Sequence, residues 1–381
     1  MTNPIYLDFN GTTPLAPEVI QTMQPYLAEA FGNPSSSHAY GRSPRNAVAK
    51  ARRQVAHLLG CHPTEIVFTS GGTEANNHAL KGTVMASHRA GHLITSAVEH
   101  PAVLAVCRFL ARFGIHTTYL PVDPNGQVDP DAVGAAVQPD TLMISIMHAN
   151  NEVGTIEPIA EIAALARRQG IPLHTDAAQS VGKIPTRVDA LGVDFLSLAG
   201  HKLYAPKGVG ALYIRSGSTL ENLCHGAGQE DGRRAGTENV ALIAALGMAC
   251  EIAARDLERN AAHMRAMRDR LHRGLLSRLD GLRLNGHPEK RLPNTLSLAF
   301  PGVSADRLLA AVGDQVAASA GAACHADRVT ISHVLQAMNV PEDYARGTIR
   351  FSVGKNTTAE EVDTAVSALV EAVHRLGKPP A

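Results

Sequence analysis

Leu173-His174-Thr175-Asp176 ends a β-rich run on a carboxylate, and Ser197-Leu198-Ala199-Gly200-His201-Lys202 ends a later run on an amine. One strand–helix–strand crossover separates the two, so both side chains should emerge at the same edge of a sheet. A third segment, Thr69-Ser70-Gly71-Gly72-Thr73-Glu74-Ala75-Asn76-Asn77, follows a β-rich run and opens a helical one. Backbone N–H groups at such a helix start, with glycines allowing close approach and a hydroxyl adding a donor, make a cradle for phosphate. The segment has neither the Gly-Lys-Ser/Thr of a P-loop nor a Gly-x-Gly-x-x-Gly pattern.

A lysine, a carboxylate and an anion cradle on one edge suit pyridoxal phosphate: the lysine takes its aldehyde, the carboxylate its ring proton and the N–H groups its phosphate. Singly, each has a plainer explanation. The glycine segment would be a capped βα turn, Asp176 a cap and Lys202 a solvated charge. The conjunction favours the cofactor. His100, in Val98-Glu99-His100-Pro101, also follows a β-rich run, where an imidazole could stack on a planar ring or serve as a hydrogen-bonded loop residue. Cys324 lies in Ser319-Ala320-Gly321-Ala322-Ala323-Cys324-His325, small residues expected to form a mobile, exposed loop with a reactive thiol. Cys107 and Cys250 sit in apolar or helical patterns and read as buried thiols.

The elements that must carry these residues are legible as alternation. Seven β-rich runs recur at Glu65–Ser70, His92–Ala97, Thr117–Val122, Leu142–Met147, Pro172–Thr175, Phe195–Leu198 and Gly210–Arg215. Amphipathic stretches such as Pro44–Leu59 and Ile159–Gln169 lie between. That pattern predicts an α/β fold with a mainly parallel seven-stranded sheet, whose ligands gather at the carboxyl edge. A long helix over about Asn239–Leu279 leads to strand-like runs at Asn294–Phe300 and Ile349–Val353 and helices near Ser304–Val312 and Thr358–Leu376. The expected division is a large domain over 15–260 and a smaller α+β domain made of 1–14 and 261–381, which carries the Cys324 loop.

Composition narrows the function classes. The chain has 381 residues, 45% hydrophobic and 18% charged, as in a folded soluble protein. Lys+Arg and Asp+Glu are 35 each, so no global field would hold nucleic acid or an anionic membrane. No apolar run is long enough for a membrane span, and the first ten residues lack a signal core, so the expectation is a cytoplasmic protein. Five scattered cysteines (Cys61, Cys107, Cys224, Cys250, Cys324) include no Cys-x-x-Cys pair. Despite 18 histidines, no His-Glu-x-x-His or Cys/His cluster appears, so no metal site is expected.

The ordered set Tyr6–Pro14, Gly32–Ser36, Thr69–Asn77, Val98–Val103, Met147–Gly154, Gly200–Lys202, Gly232–Asn239 and Arg350–Gly354 resembles the NifS-like cysteine desulfurases and the related selenocysteine lyases. These are fold-type I, class V pyridoxal-phosphate enzymes. The resemblance implies that Lys202 carries the cofactor, Asp176 pairs with its ring nitrogen, Gln179 donates to its phenolic oxygen and His100 stacks on it. It implies that Gly72, Thr73 and His201 hold the phosphate, with Thr237 reaching the phosphate of a neighbouring subunit in a homodimer. Asn150 and Arg350 would bind the substrate carboxylate, and Cys324 would accept sulfur from L-cysteine, leaving L-alanine and a persulfide for an acceptor protein. Two alternatives stand beside it: a selenocysteine lyase acting on L-selenocysteine, and a non-enzymatic sulfur carrier that kept the fold.

Three departures from the family pattern are visible. Ala199 replaces a hydroxyl residue, removing one phosphate contact. Asp231, in Gly226-Ala227-Gly228-Gln229-Glu230-Asp231-Gly232, replaces a basic residue near the site's mouth. The Gly-Ala-Ala-Cys-His run is similar to the lyases, whereas the interval to Ser332-His333-Val334-Leu335 and the His148 of Met-His-Ala-Asn-Asn are similar to the desulfurases.

Overall fold

The computed structural model describes residues 3–325 and 328–377, without the side chains of 322–330. Fifteen strands occur among the described residues. In chain order they are β1 (Ile5–Tyr6), β2 (Ile66–Thr69), β3 (Gly91–Ser96), β4 (Ile115–Leu120), β5 (Thr141–Ser145), β6 (Leu173–Asp176), β7 (Phe195–Ala199) and β8 (Gly210–Ile214). Then follow β9 (Arg283–Asn285), β10 (Thr295–Ala299), β11 (Val316–Ala317), β12 (Ser319–Ala320), β13 (Ala322–His325), β14 (Arg328–Ile331) and β15 (Thr348–Ser352).

Seven of them form the main sheet in the order β2-β8-β7-β6-β5-β3-β4. Every neighbouring pair is parallel except those made by β8, which runs against both β7 and β2. The inner strands β3, β5, β6 and β7 are buried along their whole length, as a sheet covered by helices on both faces requires. One cover is built on Val55, Leu59, Ile146, Leu173, Leu196 and Leu246, the other on Ala79, Leu80, Val103, Leu110 and Phe195. Because only β8 is reversed, the carboxyl ends of β2, β3, β5, β6 and β7 share one edge.

The helix Val240–Leu276 spans 37 residues and serves two cores. Its first half packs Ile243, Leu246, Cys250 and Ile252 on the main sheet, while Met264, Leu271 and Leu275 pack under a four-stranded antiparallel sheet, β12-β15-β10-β9. Cys107 and Cys250 are both buried, and burial pushes both thiols up, Cys107 to about 12.

Two expectations are corrected. The helix expected from Pro44 begins at Ala39 and holds Pro44 inside, where the ring costs one intrahelical bond. The Cys324 segment, expected as a loop, has the backbone of a hairpin: β13 pairs antiparallel with β14, Cys324 opposite Val329. Small residues gave no alternating apolar signal there to mark a strand. The Cys324 side chain lies outside the described ones. β1 joins β11 in parallel as a separate two-stranded sheet, which brings the N-terminal segment against the 261–381 part of the chain. Strands of two residues leave too short a pattern to read.

Candidate active site

Strand register sets the two charged groups side by side. In the β6–β7 pair Asp176 lies opposite Ser197. Two residues on, Ala199 ends β7 and a 3-10 turn over Gly200–Lys202 delivers the lysine to the same edge. Next to them β2 runs into Gly71, whose φ of 152° only glycine adopts freely. The helix Gly72–Ser87 starts there with no side-chain cap, so its first N–H groups face outward unsatisfied. A Cβ on Gly72 would come 3.3 Å from the Ala199 Cβ, and one on Gly210 would meet the Gly71 backbone at 2.7 Å. The cradle is thus pressed directly against the turn that carries Lys202.

These groups line one cavity of about 260 Å3. Its walls include Gly72, Thr73, Asn76, His100, Asp176, Gln179, Ala199, His201, Lys202 and Arg350. Eight of the expected site residues therefore converge on this cavity: His100, Gly72, Thr73, Asp176, Gln179, His201, Lys202 and Arg350. Arg350 and Gly321 also line a second, adjoining cavity with Ser332 and His333.

Two expected residues lie elsewhere. Thr237 is exposed and is not among the lining residues. The amide of Asn150 is fully buried and already engaged: Nδ2 donates to the Val98 carbonyl after β3 at 3.0 Å, and Oδ1 accepts from the N–H groups of Glu152 and Val153 in its own loop. Asn151 lines the cavity instead. The doublet Asn150-Asn151 offered no sequence signal to choose between them.

The carboxylate of Asp176 is held from two sides. Asn76 Nδ2 donates to Oδ2 at 2.6 Å, and the Ala178 N–H donates to Oδ1 at 2.9 Å. Asn76 lies one turn into the cradle helix, so the anion site and the carboxylate are built from the same element. Lys202 Nζ donates to the carbonyls of Asn10 and Gly11, the latter at 2.7 Å. Burial first, and Arg350 second, bring its pKa down from the ordinary lysine value to about 8. His201 is drawn down to about 4 by burial and the neighbouring Lys202, so its ring is neutral at neutral pH. The His100 ring faces the open cavity, yet enough protein surrounds it that desolvation holds its pKa below the usual value. Its Nδ1 accepts from the Ala102 N–H at 3.1 Å, leaving Nε2 as the other ring nitrogen.

Arg350 is braced by Asp8, whose Oδ1 accepts from Nη2 at 2.7 Å, by Ser319 Oγ and by the Asn151 carbonyl. Its Nε is buried without a hydrogen-bond partner among the described residues.

Asn10 was missed by the sequence reading, although it lies inside a quoted motif. It is 1% exposed and joins three parts of the molecule. Its N–H donates to Ser352 Oγ, its Nδ2 to Thr295 Oγ1 and the Asn151 carbonyl, and its own carbonyl accepts from Lys202 and Gln179. A backbone carbonyl that organises a site leaves no residue-type signal.

The donor set fits pyridoxal phosphate. An uncapped helix start offers N–H groups to an anion, a doubly held carboxylate can keep a ring proton, and an amine of lowered pKa is a ready nucleophile. Among the described residues no group of three or more His, Cys, Asp or Glu is placed to hold a metal ion. Among them, too, no helix is long and apolar enough to cross a membrane.

The aminotransferase class-V family model matches residues 5–365. The cysteine desulfurase IscS of Dictyoglomus turgidum is 47% identical over 99% of this chain and 96% of its own length. The cysteine desulfurase of Homo sapiens is 44% identical over 98% of this chain and 82% of its own. Among solved structures, that of a NifS-like protein superposes with a TM-score of 0.92 at 38% identity, covering 98% of this chain and all of that one. The structure of SspA in complex with cysteine superposes with a TM-score of 0.82 at 37% identity, over 94% of this chain and all of that one. By the family match and by likeness along nearly its whole length, this chain belongs to the aminotransferase class-V family, among its cysteine desulfurases.

Proposed function

We propose that the chain converts L-cysteine to L-alanine with pyridoxal phosphate and collects the sulfur on Cys324 as a persulfide. The observation that carries this reading is the single cavity in which Lys202, Asp176, the uncapped helix start and Arg350 meet. Bound there, pyridoxal phosphate supplies an aldehyde for an amine and an electron-withdrawing ring that stabilises charge at the substrate Cα.

The chain's residues do the rest. The first-turn N–H groups at Gly72 and Thr73, with His201, hold the phosphate; Asp176 keeps the proton on the ring nitrogen, its own orientation fixed by Asn76. His100 covers one face of the ring, and Gln179 donates to its phenolic oxygen. The Arg350 guanidinium, which lines the cavity, takes the substrate carboxylate and orients the amino acid. Lys202, neutral above about pH 8, moves the Cα proton. The Cys324 thiolate then attacks the substrate sulfur: an S–S bond forms, the substrate C–S bond breaks, its electron pair takes a proton, and alanine leaves.

The exposed position of Thr237 supports a homodimer in which it completes the partner's phosphate site. A protein acceptor, supplying sulfur to iron–sulfur clusters or thiolated products, would relieve Cys324. The division into a domain over 15–260 and one of 1–14 with 261–381 agrees with two cores meeting midway along Val240–Leu276.

The test is alanine release by cofactor-loaded protein from L-cysteine and L-selenocysteine in parallel, with reductant present. Turnover of cysteine that disappears in Lys202→Ala supports the proposal. Turnover of selenocysteine alone would make it a lyase, and alanine from neither would leave only a carrier role.

A further inference from the structure

Beside Lys202 lies a small cavity of about 20 Å3, room for one water, lined by both Lys202 and Lys183. Lys183 is only 5% exposed, and nothing in the reaction described above uses it. Its Nζ donates to Gln179 Oε1 at 2.8 Å. At the other end of that carboxamide, Gln179 Nε2 donates to the Asn10 carbonyl at 3.0 Å, the same carbonyl that accepts from Lys202. Lys183, Gln179, Asn10 and Lys202 thus form one hydrogen-bonded chain ending at the amine of the site.

A carboxamide can be turned end for end at little steric cost, but its two ends make opposite demands. An ammonium donates and cannot accept, so the end facing Lys183 must be oxygen; a carbonyl accepts and cannot donate, so the end facing Asn10 must be nitrogen. The reversed amide would set N–H against N–H at one end and oxygen against oxygen at the other. Gln179 also lines the active cavity, and its Nε2 carries a second N–H beyond the one given to Asn10. Burial, with repulsion from Lys202 and Arg350, brings Lys183 down to about 7. Its neutral amine still donates to Oε1 but its lone pair can also accept, so the lock at this end is strictest below that value, while the Asn10 carbonyl bars the reversed amide on both sides of it.

We propose that Lys183 is a positioning residue: it locks the Gln179 carboxamide so that an N–H, not an oxygen, is presented to the bound cofactor. The proposal rests on the pyridoxal-phosphate reading of this site and deepens it.

The experiment compares Lys183→Met, Lys183→Gln, Gln179→Ala and the Lys183→Met/Gln179→Ala pair with the parent chain, each titrated with pyridoxal phosphate. The readouts are the visible absorption of the bound cofactor and the concentration that half-saturates the protein. Loss of one oriented hydrogen bond should move the absorption and weaken half-saturation about tenfold in Lys183→Met. In the Gln179→Ala background the same substitution should change neither, because the residue it acts through is gone. Lys183→Gln, which keeps an N–H donor, should fall between. An unchanged Lys183→Met, or an equal effect without Gln179, would overturn the positioning role. If Lys183→Met does not fold, Lys183→Gln and its pair with Gln179→Ala are judged by the same two criteria. Failure of the parent chain to take up the cofactor would instead overturn the reading of the site, so the two failures are distinct.

Discussion

Replacing Arg350 with lysine keeps the positive charge but removes the planar fork. In the structure Nη1 and Nη2 are committed to the Asn151 carbonyl, Ser319 and Asp8, while Nε is buried and unpaired among the described residues. The guanidinium also lines the cavity, where its charge faces a substrate carboxylate. Lysine can still neutralise Asp8 but cannot brace the loop and meet the carboxylate together. A charge-assisted hydrogen bond contributes about 1.5–3 kcal/mol, so kcat/KM for L-cysteine should fall roughly 10- to 150-fold, most of it in KM. The assay is steady-state sulfide release, with reductant present, by cofactor-loaded Arg350→Lys, from L-cysteine and from cysteamine, which lacks the carboxylate, as comparison substrate. The loss should appear on cysteine and be nearly absent on cysteamine. A fall below about threefold on cysteine, or an equal fall on both, would refute the assignment.

Three further outcomes follow from the same geometry. Lys202 has a folded pKa lowered to about 8, so its free-amine fraction grows as pH rises toward that value and levels above it. Pyridoxal phosphate uptake by apo protein, followed by absorption in rapid mixing, should therefore accelerate about tenfold per pH unit below 8; a flat profile from pH 6 to 9 would contradict it. Ala199→Ser places a hydroxyl beside Gly72 at the cradle and should tighten pyridoxal phosphate up to about tenfold in equilibrium dialysis, whereas weaker binding would show that no anion sits there. Glu230, with a side chain 3% exposed, accepts from Arg52 at 2.6 and 2.8 Å and from the Phe68 N–H at 2.8 Å. Glu230→Ala should cost about 3–5 kcal/mol in urea unfolding by stranding Arg52 and the edge of β2, and a loss under about 1 kcal/mol would count against that role.

The seven strands of the main sheet were legible because parallel strands covered on both faces read as short apolar runs between amphipathic helices. Asp176 and Lys202 were legible for a related reason: a strand end and the crossover length fix which edge a side chain reaches. What the sequence hid was carried by the backbone or by spatial partners. The Asn10 carbonyl and the hold of Asn76 on Asp176 are contacts made by a group that every residue possesses or between segments distant in sequence. The choice between Asn150 and Asn151 depended on which amide the loop consumed for its own turn. The Cys324 hairpin was hidden because alanine and glycine carry no alternation for pairing to follow.

The most direct test of the central claim is a single turnover followed by mass spectrometry. Cofactor-loaded protein is mixed with one equivalent of L-cysteine without reductant, quenched under acid, digested and mapped. The account predicts one alanine released per added sulfur, with that sulfur on the peptide containing Cys324. Alanine formed with the sulfur on Cys61 or Cys224, or with none retained, would contradict it.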